Sequence, residues 1–129
     1  MKVGVAKAKE LAIQYKKPII PINHLEGHAL VVRMNRTDEI KFPFLVVLVS
    51  GGHTQILICK EVGDYLLLGG TLDDSLGEAF DKVARSLGFS FSEGGKSIES
   101  LALKGKIVYD FPIAMLHTKN CDLSFAGCQ

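Results

Sequence analysis

Apolar residues recur at three- and four-residue spacing from the start of the chain. Val5, Ala8, Leu11, Ala12 and Tyr15 share one face, which predicts a helix over 3–16. Pro18 stops it, and Pro21 punctuates a short extended segment over 19–22. A second helix is expected from near His24 to about Met34. The polar run Asn35-Arg36-Thr37-Asp38-Glu39 that follows is the best candidate boundary, dividing 1–40 from 41–129. The strongest strand signal comes next. Residues 44–49 form an unbroken, Val-rich apolar run, which suits a strand covered on both faces. Ser50, Gly51 and Gly52 break it, residues 54–59 resume as a second strand, and 65–68 form a third after Gly63-Asp64. Spacing this close predicts an antiparallel meander rather than β-α-β crossovers. Residues 73–87 read as a helix that buries Leu76, Phe80, Val83, Ala84 and Leu87 and ends at Gly88. After a Gly94-Gly95 turn, a last helix is expected over 97–104, closed by Gly105, and beyond Lys106 no period is visible.

Composition narrows the class. With 129 residues, 47% of them hydrophobic and 22% charged, the chain suits one packed domain or one lobe of a larger protein. Fifteen basic and fourteen acidic side chains leave a net charge of +1, so the strong basic field of an independent nucleic-acid binder is excluded. Cys59, Cys121 and Cys128 are odd in number and form no C-x-x-C pair, which favours reduced thiols in an intracellular protein. The longest apolar runs are too short to span a bilayer, so no membrane partner is expected. Helical periodicity begins directly after Met1, with no secretory core and no Ser- and Arg-rich presequence.

Three stretches could carry chemistry. In His24-Leu25-Glu26-Gly27-His28 the histidines lie one helical turn apart on one face, where two imidazoles can share a metal ion or simply pack near a helix start. Glu26 points to nearly the opposite face, which disfavours the metallopeptidase arrangement H-E-x-x-H. In Ser50-Gly51-Gly52-His53-Thr54 two glycines allow a ligand close to the backbone N–H groups, although a plain glycine hairpin reads the same way, and His53 is a further possible ligand. Asp74, Glu78 and Asp81 form either a solvated helix face or a set that accepts ribose hydroxyls. Gly94-Gly95 with Glu99 is equally open between a helix N-terminal ligand site and an ordinary turn.

Taken in order, these stretches resemble the Kae/Gcp/TsaD family of tRNA N6-adenosine threonylcarbamoyltransferases, once described as O-sialoglycoprotein endopeptidases. Pro18-Ile19-Ile20-Pro21-Ile22-Asn23-His24-Leu25-Glu26-Gly27-His28 is similar to the signature around the family's paired histidines. Leu48-Val49-Ser50-Gly51-Gly52-His53-Thr54-Gln55 is similar to its glycine hairpin, and Asp73-Asp74 with Gly77-Glu78-Ala79-Phe80-Asp81-Lys82-Val83-Ala84 to the helix that follows. The resemblance implies an α/β chain that is part of an actin/Hsp70-like two-lobe fold. It implies transfer of a threonylcarbamoyl group from threonylcarbamoyl-AMP to N6 of adenosine 37 in tRNAs reading codons that begin with adenine. It also implies one divalent metal ion, iron or zinc, on His24 and His28, adenylate contacts from Leu48, Val49, Ser50, Gly51, Gly52, Asp81, Gly95 and Glu99, and association as a homodimer.

Two departures carry expectations of their own. Phe91-Ser92-Glu93-Gly94-Gly95-Lys96 replaces the family's usual Y-P-G-G-P turn. Together with Asn120-Cys121-Asp122-Leu123-Ser124-Phe125-Ala126-Gly127, it points to the mitochondrial branch and hence a mitochondrial location, with a cytoplasmic one as the alternative. The chain is also short for the family, so it is expected to be an internal portion without the opening strand or the third metal ligand, with exposed sheet edges. The competing reading is a non-catalytic product that keeps a dimerisation or partner surface.

Overall fold

The computed structural model describes residues 2–90, 94–111 and 113–128. Helix α1 (Lys2–Tyr15) matches the first predicted helix, and the chain then runs extended to Asn23. Helix α2 (His24–Leu30) starts where Asn23 Oδ1 accepts the amides of Leu25 (3.0 Å) and Glu26 (3.2 Å), satisfying two orphan donors of the first turn. It passes into a single 3-10 turn over Val31–Arg33, so the helix is tighter and shorter than its sequence pattern suggests. Three strands follow: β1 (Phe44–Val49), β2 (Thr54–Glu61) and β3 (Asp64–Gly70). They form one antiparallel sheet in the order β1-β2-β3, as the short connections require.

One face of this sheet packs on α2. Val46 and Leu48 of β1, Leu57 and Cys59 of β2, and Ala29 of α2 form the core, flanked by Leu25, Leu30, Phe42, Phe44 and Tyr65. Helix α2, from the first sequence region, thus packs on the sheet of the second. Glu26 fastens it there: one carboxylate oxygen accepts both the Gly63 amide and the Tyr65 hydroxyl, each at 2.8 Å. Burial first, and this hydrogen bond next, push the Tyr65 phenol well above its usual range.

The other face of β1 differs from the reading of its sequence. Leu45, Val47 and Val49 are 60%, 58% and 54% exposed, so the strand is covered on one face only in this chain. The apolar face of α1 is likewise uncovered, with Val5, Leu11 and Tyr15 all exposed. Apolar periodicity marks what a chain can bury, and it does not say which element does the burying.

Helix α3 (Leu76–Ser86) begins three residues later than predicted, because Ser75 caps it by accepting the Glu78 amide at 3.2 Å. It buries Ala79 and Ala84, whereas Phe80 and Leu87 stay exposed. Its end follows expectation. Gly88 takes φ +86°, and the Phe89 and Gly88 amides close onto the carbonyls of Ala84 and Arg85. Helix α4 (Gly94–Ala102) packs against α3 and starts at Gly94, so the two glycines read as a turn are its first residues. The Phe91-Ser92-Glu93 part of that turn lies outside the described residues. Near the chain's end, Leu123 lies parallel to Thr71, with the Leu123 amide on the Gly70 carbonyl and the Leu72 amide on the Leu123 carbonyl, both at 2.9 Å. No helix among the described residues is long and apolar enough to cross a membrane.

Candidate functional site

The cap on α2 sets the first element of the site. Because Asn23 starts the helix one residue before His24, His24 and His28 project from the same exposed face. Their Nε2 atoms lie 3.2 Å apart, with the rings nearly perpendicular and their centroids 4.6 Å apart. Two imidazole nitrogens on one tetrahedral metal, with bonds of about 2.0–2.1 Å, sit about 3.3 Å apart. That spacing matches two ligands on one ion and equally a hydrogen bond between the two rings. Glu26 is turned away and committed to Gly63 and Tyr65, so it cannot serve as the base of a metallopeptidase at these histidines. Among the described residues no group of three His, Cys, Asp or Glu side chains could hold a metal ion.

The 50–53 hairpin forms the second element. It shares with α2 a small cleft of about 200 Å³, lined by His28, Leu48, Val49, Ser50 and His53. The side chain of Ser50 folds back over its own turn, where its hydroxyl oxygen accepts the amides of Gly52 (3.3 Å) and His53 (3.0 Å). The hairpin is thus internally braced, and the Gly51 N–H is the amide left outside these bonds. Leu48 is buried beneath it, while Val49, Ser50, Gly51 and Gly52 are exposed.

Three bonds seat this hairpin on the first turn of α3. Ser75 Oγ donates to the Gly51 carbonyl (2.7 Å), the Gly77 amide to the Ser50 carbonyl (3.2 Å), and the Leu76 amide to the buried Thr54 hydroxyl (2.9 Å). The approach is close enough that a Cβ at Gly77 would lie 2.6 Å from the Ser50 carbonyl oxygen. Sequence reasoning singled out neither Ser75 nor Gly77 for this contact. The capping-box pattern Ser75-x-x-Glu78 was the available signal for the first.

The acidic face divides. Lys82 pairs with Glu78 on the surface of α3 and with Asp74 in the turn before it. Asp81 lies instead against the start of α4, where a Cβ at Gly94 would overlap its carboxylate. A carboxylate beside a helix N-terminus is favoured by the dipole. Gly95 and Glu99 are exposed on α4. The structure therefore groups His24, His28 and the hairpin residues around α2 and β1, and Asp81 with Gly94 at the α3–α4 contact.

A paired-histidine helix thus lies beside a braced glycine hairpin, and α3 packs under that hairpin, on a chain of helices and one small antiparallel sheet. Comparison with known proteins gives the family. The family described as TsaD, tRNA N6-adenosine threonylcarbamoyltransferase, matches residues 1–129, and the chain belongs to it. Proteins named tRNA N6-adenosine threonylcarbamoyltransferase are 56% identical in Wolbachia pipientis subsp. Culex pipiens (strain wPip), 49% in Methylocapsa acidiphila and 48% in Neorickettsia sennetsu (strain ATCC VR-367 / Miyayama), each over 98% of this chain. The chain spans 36–38% of the length of those relatives.

These relatives are bacterial, and that overturns the mitochondrial branch and the mitochondrial location expected from the 91–96 and 120–127 departures. A one-residue change in a turn is a weak branch marker, because connecting segments accept insertions that leave the framework intact.

Proposed function

We propose that this chain contributes the paired-histidine and glycine-hairpin half of a site that transfers a threonylcarbamoyl group from threonylcarbamoyl-AMP to N6 of adenosine 37 in tRNA. The observation that carries the reading is the pairing of His24 with His28 at 3.2 Å, where His28 lines the cleft that Ser50 and His53 also line. In the reaction N6 attacks the carbamoyl carbon, the bond from that carbon to the phosphate oxygen breaks, AMP leaves, and N6 loses one proton. A divalent ion, iron or zinc, supplies Lewis-acid polarisation when bound. His24 and His28 would hold it, and at least one further ligand comes from outside the described residues. The hairpin of Leu48, Val49, Ser50, Gly51 and Gly52 lies alongside the adenylate, with Asp81, Gly95 and Glu99 contacting it from the α3–α4 side. Much of the rate enhancement in such a site comes from holding the donor and N6 in line.

The activity is proposed for a polypeptide of the relatives' length, within the two-lobe fold their family implies. The exposed apolar residues of α1 and Ile19, Ile20 and Ile22 are the surface available for self-association. The test is incubation of the full-length gene product with threonylcarbamoyl-AMP and a tRNA transcript reading an adenine-first codon, followed by nucleoside mass spectrometry. Threonylcarbamoyl-adenosine should form with the wild type and not with the His24→Ala/His28→Ala variant. Its absence with fully metal-loaded wild-type protein would overturn the proposal.

A further inference from the structure

One side chain ties down the end of the segment that returns at 120–125. Asp73 Oδ1 accepts the Phe125 amide (2.8 Å) and the Thr71 hydroxyl (3.2 Å), and Asp73 Oδ2 accepts the Ser124 hydroxyl (2.5 Å). These partners lie more than fifty positions away in sequence or in the adjoining turn, so the carboxylate ties two distant pieces of chain together. The segment it ties in is otherwise bonded through Leu123 to Gly70 and Leu72, and through Asp122 Oδ1 to the Gly70 amide (3.2 Å). Gly69 has no room for a Cβ because the Cys121 backbone lies directly on it. The docked segment carries Asp122 to a cleft of about 260 Å³ that Gly52 and His53 also line. Only Asp74 separates Asp73 from Ser75 in sequence, and Ser75 is the residue that holds Gly51. The turn at 71–77 therefore grips the hairpin with one end and the 120–125 segment with the other.

We propose that Asp73 is a positioning residue for the donor nucleotide: by clamping Ser124 and Phe125 it fixes the Asp122-bearing wall of the cleft against the Gly52–His53 side of the hairpin. The proposal rests on the adenylate reading of the hairpin given above. Asp73 itself touches no proposed reacting atom and acts through the two pieces of backbone it joins. Its carboxylate is suited to the task because charged acceptors make the stronger hydrogen bonds to amides and hydroxyls. Ionisation also favours the clamp: the Phe125 amide, then the Ser124 hydroxyl, hold the Asp73 pKa at about 2.

Asp73→Ala, Asp73→Asn and Ser124→Ala in the full-length gene product test this. Amide hydrogen exchange reads the clamp directly, and titration with AMP reads its consequence. Both work whether or not transfer activity is found, so failure of the transferase reading stays distinguishable from failure of this one. The expected result is at least tenfold faster exchange over 120–125 in Asp73→Ala, with AMP affinity about tenfold weaker and metal content unchanged. Asp73→Asn, which keeps an oxygen for the Phe125 amide, should recover part of both effects, and Ser124→Ala should give the smaller of the two losses. Where transfer is measured, KM for threonylcarbamoyl-AMP should rise while kcat stays within about twofold. Wild-type exchange in Asp73→Ala, or loosened exchange with unchanged AMP affinity, would overturn the proposal.

Discussion

Gly77→Ala is the substitution whose outcome depends most on the packing of hairpin against helix. On helix propensity alone it should stabilise, since alanine is favoured over glycine in a helix by about 1 kcal/mol. The structure reverses the sign. The added Cβ would meet the Ser50 carbonyl oxygen at 2.6 Å, the Gly51 Cα at 2.7 Å and the Gly51 nitrogen at 2.8 Å, all of them backbone atoms that no rotamer change can move aside. Restoring ordinary contact, at about 3.4 Å, requires α3 and the hairpin to part by about 0.8 Å. That separation stretches the bonds from Ser75 to Gly51 and from Leu76 to Thr54, now 2.7 and 2.9 Å. Overpacking costs about 1–3 kcal/mol and each of the two weakened hydrogen bonds up to about 1 kcal/mol, so after a propensity gain of about 1 kcal/mol the net destabilisation reaches up to about 4 kcal/mol. Gly27→Ala in α2 is the control, because its Cβ would meet nothing within 4 Å and should gain up to about 1 kcal/mol. Urea unfolding followed by circular dichroism should place Gly77→Ala below, and Gly27→Ala at or above, the wild-type midpoint. If Gly77→Ala is as stable as Gly27→Ala, the close seating of the hairpin on α3 is wrong.

Other substitutions test the remaining contacts. Gly69→Ala should displace the 120–125 segment, because its Cβ would overlap the Cys121 backbone; faster amide exchange at Leu123 with β1–β2 protection intact would show it. Tyr65→Phe should cost about 1 kcal/mol by removing the hydroxyl that Glu26 accepts, measured as a lower urea midpoint. Asp73 predicts a pH dependence. Its folded pKa is lowered from 3.8 to about 2, so its contribution is full above the ordinary carboxylate range and is lost as pH falls through about 2. Protection of the Phe125 amide should therefore decline between about pH 4 and pH 2 in the wild type, and Asp73→Asn should lack this acid-dependent step.

Local patterns carried much of the fold. The Val-rich run broken by Ser50-Gly51-Gly52 and the turn at Gly63-Asp64 were enough to place three antiparallel strands, because short connections leave no other pairing. Gly88 was readable as a helix end for the same local reason. What failed was anything that depends on a distant partner. Leu45, Val47 and Val49 look like core residues in sequence, yet all three are more than half exposed. Gly94 reads as a turn residue, but its lack of a Cβ serves the contact with Asp81. The histidine pair was legible because one helical turn fixes its geometry, whereas the Asn23 cap that starts that turn came only with the structure. The clamp at Asp73 was not, since its acceptor role depends on Ser124 and Phe125 arriving from more than fifty residues away.

We propose that His24 and His28 hold the ion on which threonylcarbamoyl transfer depends, and titration of metal-free, full-length gene product with iron(II) or zinc, with transfer to tRNA measured at each step, decides it. Activity should rise in proportion to bound metal and saturate at one ion per chain, and His24→Ala/His28→Ala should neither bind that ion nor transfer. Full transfer by the double variant, or by metal-free wild type, would contradict it.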